Sequence, residues 1–269
     1  MSDKKLLPIG VFDSGVGGIS VLANLLQCLP GESFVYYADS LNAPYGLRPL
    51  EEVRTLSLQV VDFLLKQGIK GLVVACNTAT SVVVRELRKT LDIPVIGMEP
   101  ALKPAVELTP GGHIVVMATP LTLSQEKFHN LLHRFEDQAN ILPLPCPDLS
   151  DLIEEGHTAD SEIDDYLVRL FAPFDRSKIS AVVLGCTHYV FIRAAVQKLL
   201  GPGAQVLDGN RGTARHVANT LAAAGLLQSP GAGKQLSQVE YHTSGDPTKV
   251  IPLCESLLQL ALSTCNSEE

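Results

Sequence analysis

The 269-residue chain lacks the marks of several protein classes, and each absence narrows what it can do. No apolar run approaches the roughly 18 residues that a membrane-crossing helix needs, and residues 1–8 lack the apolar stretch of a signal peptide. A cytoplasmic location with no membrane contact is the default expectation. No cluster of Lys and Arg offers a footprint for a phosphate backbone, and the net charge is −8, so nucleic acid is not expected as a ligand. The six cysteines include no Cys-x-x-Cys pair and no metal-finger spacing. His129 and His133 lie one helical turn apart, but no third ligand and no His-Glu-x-x-His arrangement accompanies them, and they read as a solvated face. No metal is expected.

The glycine-rich stretch Asp13-Ser-Gly-Val-Gly-Gly18 has neither the spacing of a dinucleotide fingerprint nor the Gly-Lys-Ser/Thr of a P-loop. Such a turn from strand to helix exposes amides to an anion, but by itself this one reads as a tight turn with no ligand.

What is present is a globular composition, 46% hydrophobic and 19% charged, and an internal echo. Cys76 follows the apolar run Leu72-Val-Val-Ala75 and precedes Asn77-Thr78; Cys186 follows Val182-Val-Leu-Gly185 and precedes Thr187-His188. Equivalent strand-like segments recur at offsets of 104 to 111 residues: Val11 with Val115, Val35 with Leu142, Cys76 with Cys186, Val95 with Val206. Short apolar runs alternating with helical stripes predict an α/β fold of two pseudo-symmetric domains, each a mostly parallel sheet flanked by helices. The second domain is expected to span 99–208. The first is expected to span 1–98 and to be completed by 209–269, a segment too short to form a core of its own.

Ligands of parallel sheets bind beyond the carboxyl ends of the strands, where both cysteines fall, so the active site is expected in the cleft between the halves. A packing thiol has no reason to recur at the same strand-to-helix junction. The start of a helix also suits a thiolate, because its free N–H groups lower a cysteine pKa. His188 is placed to exchange protons with Cys186, and Asp13 either to cap a helix or to polarise the Cys76 side. Facing thiols invite a redox couple, a metal site, or acid and base on opposite faces of one carbon. Only the third explains the symmetry, since enantiomers differ in which face of a carbon carries the proton.

These motifs resemble the cofactor-independent glutamate racemases of bacterial cell-wall synthesis, in the aspartate/glutamate racemase family. The resemblance runs from residues 10–18 through Asp39, Pro44-Tyr-Gly46, Ala75-Cys-Asn-Thr78, Cys146-Pro147 and Glu154 to Leu184-Gly-Cys-Thr-His-Tyr189. It implies interconversion of L- and D-glutamate without a cofactor, by an enzyme that is commonly a homodimer. Cys76 would take the proton from D-glutamate and Cys186 from L-glutamate, with Asp13 assisting the first and His188 with Glu154 the second. Asp13, Ser14, Tyr45, Gly46, Asn77, Thr78, Thr187 and His188 match positions that hold the substrate.

Overall fold

The structure is a computed structural model and describes residues 3–228 and 238–265. Its elements follow in the order β1 (Ile9–Asp13), α1 (Ile19–Cys28), β2 (Phe34–Ala38), α2 (Leu50–Lys66), β3 (Gly71–Val74), α3 (Asn77–Thr90) and β4 (Val95–Gly97). After α4 (Leu102–Leu108) come β5 (His113–Ala118), α5 (Pro120–Ser124), α6 (Glu126–His133), β6 (Asn140–Pro145), α7 (Leu149–Glu154) and α8 (Ser161–Phe171). Then follow β7 (Ile179–Leu184), α9 (Arg193–Leu200), β8 (Gln205–Asp208), α10 (Asn210–Ala223), β9 (Val239–Thr243) and α11 (Pro247–Cys265).

The strands form two wholly parallel sheets, β4-β3-β1-β2-β9 and β8-β7-β5-β6. Apart from β9, the second order repeats the first strand for strand, which is the architectural form of the sequence echo. Each sheet with its helices makes one lobe of a two-domain α/β fold.

The central strands are buried along their length, as parallel strands covered on both faces must be. Side chains alternate between faces: on β1, Val11 enters the core shared with α1, α10 and α11, while the next residue, Phe12, enters a separate core under α2 and α3. The first of these cores continues into the second lobe through Val115, Ile153, Val182 and Tyr189, so the lobes are packed together. Pro143 and Pro145, which cannot donate to a ladder, fall on the edge strand β6.

Three elements after residue 209 pack against the first sheet and its helix α1. α10 and α11 pack on α1, and β9 pairs with β2. A buried ion pair pins this closure. Lys70 Nζ donates to Glu32 and, at 2.7 Å, to the Lys5 carbonyl, while Glu32 Oε1 accepts from Gln228 N at 2.9 Å.

The segment after Cys146-Pro147 forms α7, which ends at Glu154 and gives way to a turn at Glu155-Gly156. That helix starts after Asp148, whose φ of 64° lets the chain reverse out of Cys146-Pro147. Among the described residues no helix is long and apolar enough to cross a membrane.

Candidate active site between two cysteines

The carboxyl ends of β1 and β3 in one lobe and of β5 and β7 in the other meet at the lobe boundary. Cys76 leaves β3 with extended backbone and caps α3, its sulfur accepting from Ala79 N at 3.4 Å. Its thiol donates to Ser14 Oγ, 3.5 Å away in the turn after β1. Cys186 lies two residues beyond the end of β7, ahead of a 3-10 helix (His188–Ile192) that it does not cap, with its sulfur 3.7 Å from His188 Nδ1. The other nitrogen of that ring meets Glu154 Oε1 at 2.6 Å, which orients the imidazole.

Asp13 links the two sides. Its Oδ2 accepts from Thr187 Oγ1 of the opposite lobe at 3.0 Å, and its Oδ1 from Gly15 N at 2.9 Å. It does not cap α1, which begins without a side-chain cap.

The glycines serve proximity more than anion binding. A Cβ at Gly15 would lie 1.8 Å from Glu154 Oε1, and one at Gly17 2.3 Å from His188 Nδ1. The Val16 amide that an anion could have taken is occupied by Glu154 Oε1 at 2.7 Å.

The remaining expected substrate contacts ring the same place. Thr78 Oγ1 lies 3.0 Å from both Thr119 Oγ1 and Thr122 Oγ1 across the boundary, and Gly46 packs on Thr119, which its absent Cβ would overlap. Tyr45 is buried and bonded to Asp39. Asn77, beside Cys76, keeps a buried Oδ1 with no hydrogen-bond partner among the described residues, an acceptor suited to an ammonium group.

Thr119 and Thr122 were not singled out from the sequence, although Thr119 follows β5 as Ser14 follows β1. Ser150, 3.9 Å from the Cys186 sulfur, was missed as well. His129 and His133 are exposed on α6, and His133 bonds to Glu136. An open cavity of about 630 Å³ lies between α3 and α6, lined by Asn77, Thr80, Arg85, Lys127 and Arg134 among others but by neither cysteine.

The electrostatics are those of a dry, shut site. Cys76 is 5% and Cys186 8% exposed. Burial, then the Asp13 carboxylate, pushes the Cys76 thiol up to about 12, against the pull of the Ala79 amide and the Ser14 hydroxyl; the nearby Cys186 sulfur adds to the rise. The helix start that favours a thiolate is present but loses to desolvation. Burial also raises Asp13, opposed chiefly by His188. His188 moves the other way from a simple buried imidazole: burial disfavours its charge, yet Cys186 and Glu154, one at each nitrogen, lift it well above its usual value.

A raised Cys76 pKa sets a sign for stability. The folded chain holds that proton longer than the unfolded one, so the linked stability is complete below about pH 9 and is lost as pH climbs toward about 12. Cys254, also pushed up to about 12 by burial, acts in the same direction. The thermal midpoint is therefore expected to hold up to pH ~9 and to fall beyond it, in step with thiolate ultraviolet absorbance. A midpoint that rises over that range would refute this account.

The sequence profile of the Asp/Glu/Hydantoin racemase family matches residues 9–217. The chain belongs to that family. Among curated members, a glutamate racemase of Clostridium botulinum (strain Loch Maree) is 47% identical over 94% of this chain and 97% of its own. One from Clostridium kluyveri is 52% identical over 81% of this chain and 86% of its own. Among solved structures, the glutamate racemase isoform RacE1 of Bacillus anthracis superposes with a TM-score of 0.84 at 30% identity, covering 95% of each chain. That of Francisella tularensis, solved in complex with D-glutamate, gives 0.81 at 26% identity over 95% of this chain and 94% of its own. The chain is thus a racemase-family member throughout its two lobes, and the paired cysteines lie where those lobes close.

Proposed function

We propose that this protein is a glutamate racemase that moves the α-proton between two cysteines without a cofactor. The observation that carries the reading is the pairing of Cys76 and Cys186 at equivalent strand ends of two identically ordered sheets, each sulfur with its own polar partners. The substrate assignment leans on the relatives, which are glutamate racemases, one of them holding D-glutamate. The division into lobes of 1–98 with 209–269 and of 99–208 belongs to the same proposal, as do a homodimeric state, a cytoplasmic location and supply of D-glutamate to peptidoglycan.

In the D-to-L direction, the Cys76 thiolate takes the proton as the Cα–H bond breaks, and the electron pair passes into the carboxylate as an enediolate-like charge. The Cys186 thiol then gives its proton to the opposite face. The cycle ends with Cys76 protonated and Cys186 ionised, ready for the reverse reaction. Asp13 assists the Cys76 side, and the Glu154-oriented His188 the Cys186 side.

The substrate α-proton is weakly acidic, so the site must supply positioning, dryness and hydrogen-bond donors. Ser14, Tyr45, Gly46, Asn77, Thr78 and Thr187 are placed to hold the carboxylates and ammonium. The ammonium also brings a positive charge into a pocket where burial and Asp13 oppose the Cys76 thiolate. Because both sulfurs are covered, the lobes part to admit substrate and shut around it.

Protein dialysed against chelator and given either enantiomer in heavy water is expected to yield a racemic mixture carrying deuterium at the α-carbon. Glutamate that keeps its handedness would end the proposal, and faster turnover of D-aspartate would reassign the substrate.

A further inference from the structure

We propose that Ser150 is a positioning residue for Cys186, its hydroxyl holding the sulfur through both protonation states of the cycle. The inference rests on the two-cysteine reading above and adds a group that neither the motifs nor the family resemblance singled out. Ser150 sits in the first turn of α7, is 6% exposed, and places Oγ 3.9 Å from the Cys186 sulfur. Four residues on, the same helix supplies Glu154, which orients His188 against the other side of that sulfur. α7 therefore supplies both Ser150 and the carboxylate that orients His188 to the Cys186 side, as the turn after β1 supplies Ser14 to Cys76.

The chemistry explains why a hydroxyl suits this place. Cys186 must be thiolate when it meets L-glutamate and thiol when it meets the carbanion from D-glutamate. A serine O–H rotates freely, so it donates to a thiolate and accepts from a thiol without moving any heavy atom. Its bond to the thiolate is charge-assisted and the stronger of the two, so its loss falls mainly on the ionised state. Among the described residues, an alanine would leave His188 as the only hydrogen-bonding partner of the sulfur.

The test compares Ser150→Ala with Ser150→Thr, which keeps the hydroxyl. Alkylation by iodoacetamide, followed by mass spectrometry of the two cysteine peptides, gives the ratio of Cys186 to Cys76 modification, from which lobe opening cancels. That ratio is expected to fall about tenfold in Ser150→Ala, as loss of a hydrogen bond to a charged group implies, and to recover in Ser150→Thr.

Racemisation supplies the second readout. In Ser150→Ala the primary isotope effect on kcat/KM should rise for α-deuterated L-glutamate and fall for α-deuterated D-glutamate, because the Cys186 step becomes the slower one. A fold-wide disturbance would move neither partition in this way. An unchanged alkylation ratio, or isotope effects that keep their balance, overturns the role of Ser150. If unsubstituted protein fails to racemise glutamate, the catalytic reading falls, and the alkylation ratio still decides whether Ser150 supports the Cys186 thiolate.

Discussion

Replacing Cys186 with alanine is expected to stop racemisation from both enantiomers while D-glutamate, and only D-glutamate, goes on exchanging its α-hydrogen with solvent. Cys76 still reaches the D face, takes the proton, exchanges it and returns another to the same side. Cys76→Ala should give the complementary result, with exchange confined to L-glutamate.

The loss of racemisation must be equal in the two directions. Enantiomers have the same free energy in water, so kcat/KM from either side is bound to the same value in every variant. A fall of roughly 10²–10⁴ is the usual contribution of one positioned proton carrier. Chiral chromatography beside proton NMR in heavy water separates the two readouts. Exchange of both enantiomers by one single-cysteine variant would sink the two-base scheme, since one sulfur would then be serving both faces.

Gly17→Ala is expected to cut kcat/KM by about 10² for a reason unconnected with chemistry at residue 17. The added methyl would stand 2.3 Å from His188 Nδ1 and 2.6 Å from Thr187 Oγ1, closer than any real contact. His188 is 3% exposed and gripped by Glu154, so it has little room to yield. The lobes must separate or Thr187 and His188 must shift, and a displacement of about 1 Å at a proton-transfer site costs on the order of 10² in rate.

Overpacking of this kind should also lower stability by about 1–3 kcal/mol, visible in urea unfolding. Gly212→Ala is the control. It adds a methyl to open space within α10, where alanine is the better helix former, and should leave activity intact while raising stability by about 0.5–1 kcal/mol. Equal activity in Gly17→Ala and unsubstituted protein would show that the lobes do not need this approach.

The echo between halves was legible because strands and the residues at their ends are local matters. An apolar run, a cysteine, then a polar pair at a helix start can be read without knowing what lies opposite. The two parallel α/β halves, with a cysteine beyond the end of the corresponding strand in each, followed from it. What could not be read was how closely the lobes approach.

The bond from Val16 N to Glu154 joins positions 138 residues apart, and nothing at residue 16 announces it. The same holds for the Thr78, Thr119 and Thr122 hydroxyls and for Ser150. The thiol pKa depends on dryness, a property of the closed assembly. A helix start argues for thiolate in water, while burial beside Asp13 argues the other way, and only geometry ranks the two. The glycine turn shows the same limit, since a glycine kept for its backbone freedom and one kept because a neighbour occupies the place of its side chain look alike in a string of letters.

The outer strand β9 has a consequence for how the chain is made. All four strands of the second sheet lie between His113 and Asp208, so that half can assemble while it emerges from the ribosome. The first sheet begins earlier and finishes later, because β2 waits for a partner about two hundred residues downstream. The nascent chain will carry a finished younger half beside an older one whose flank stays open until residues 239–243 arrive.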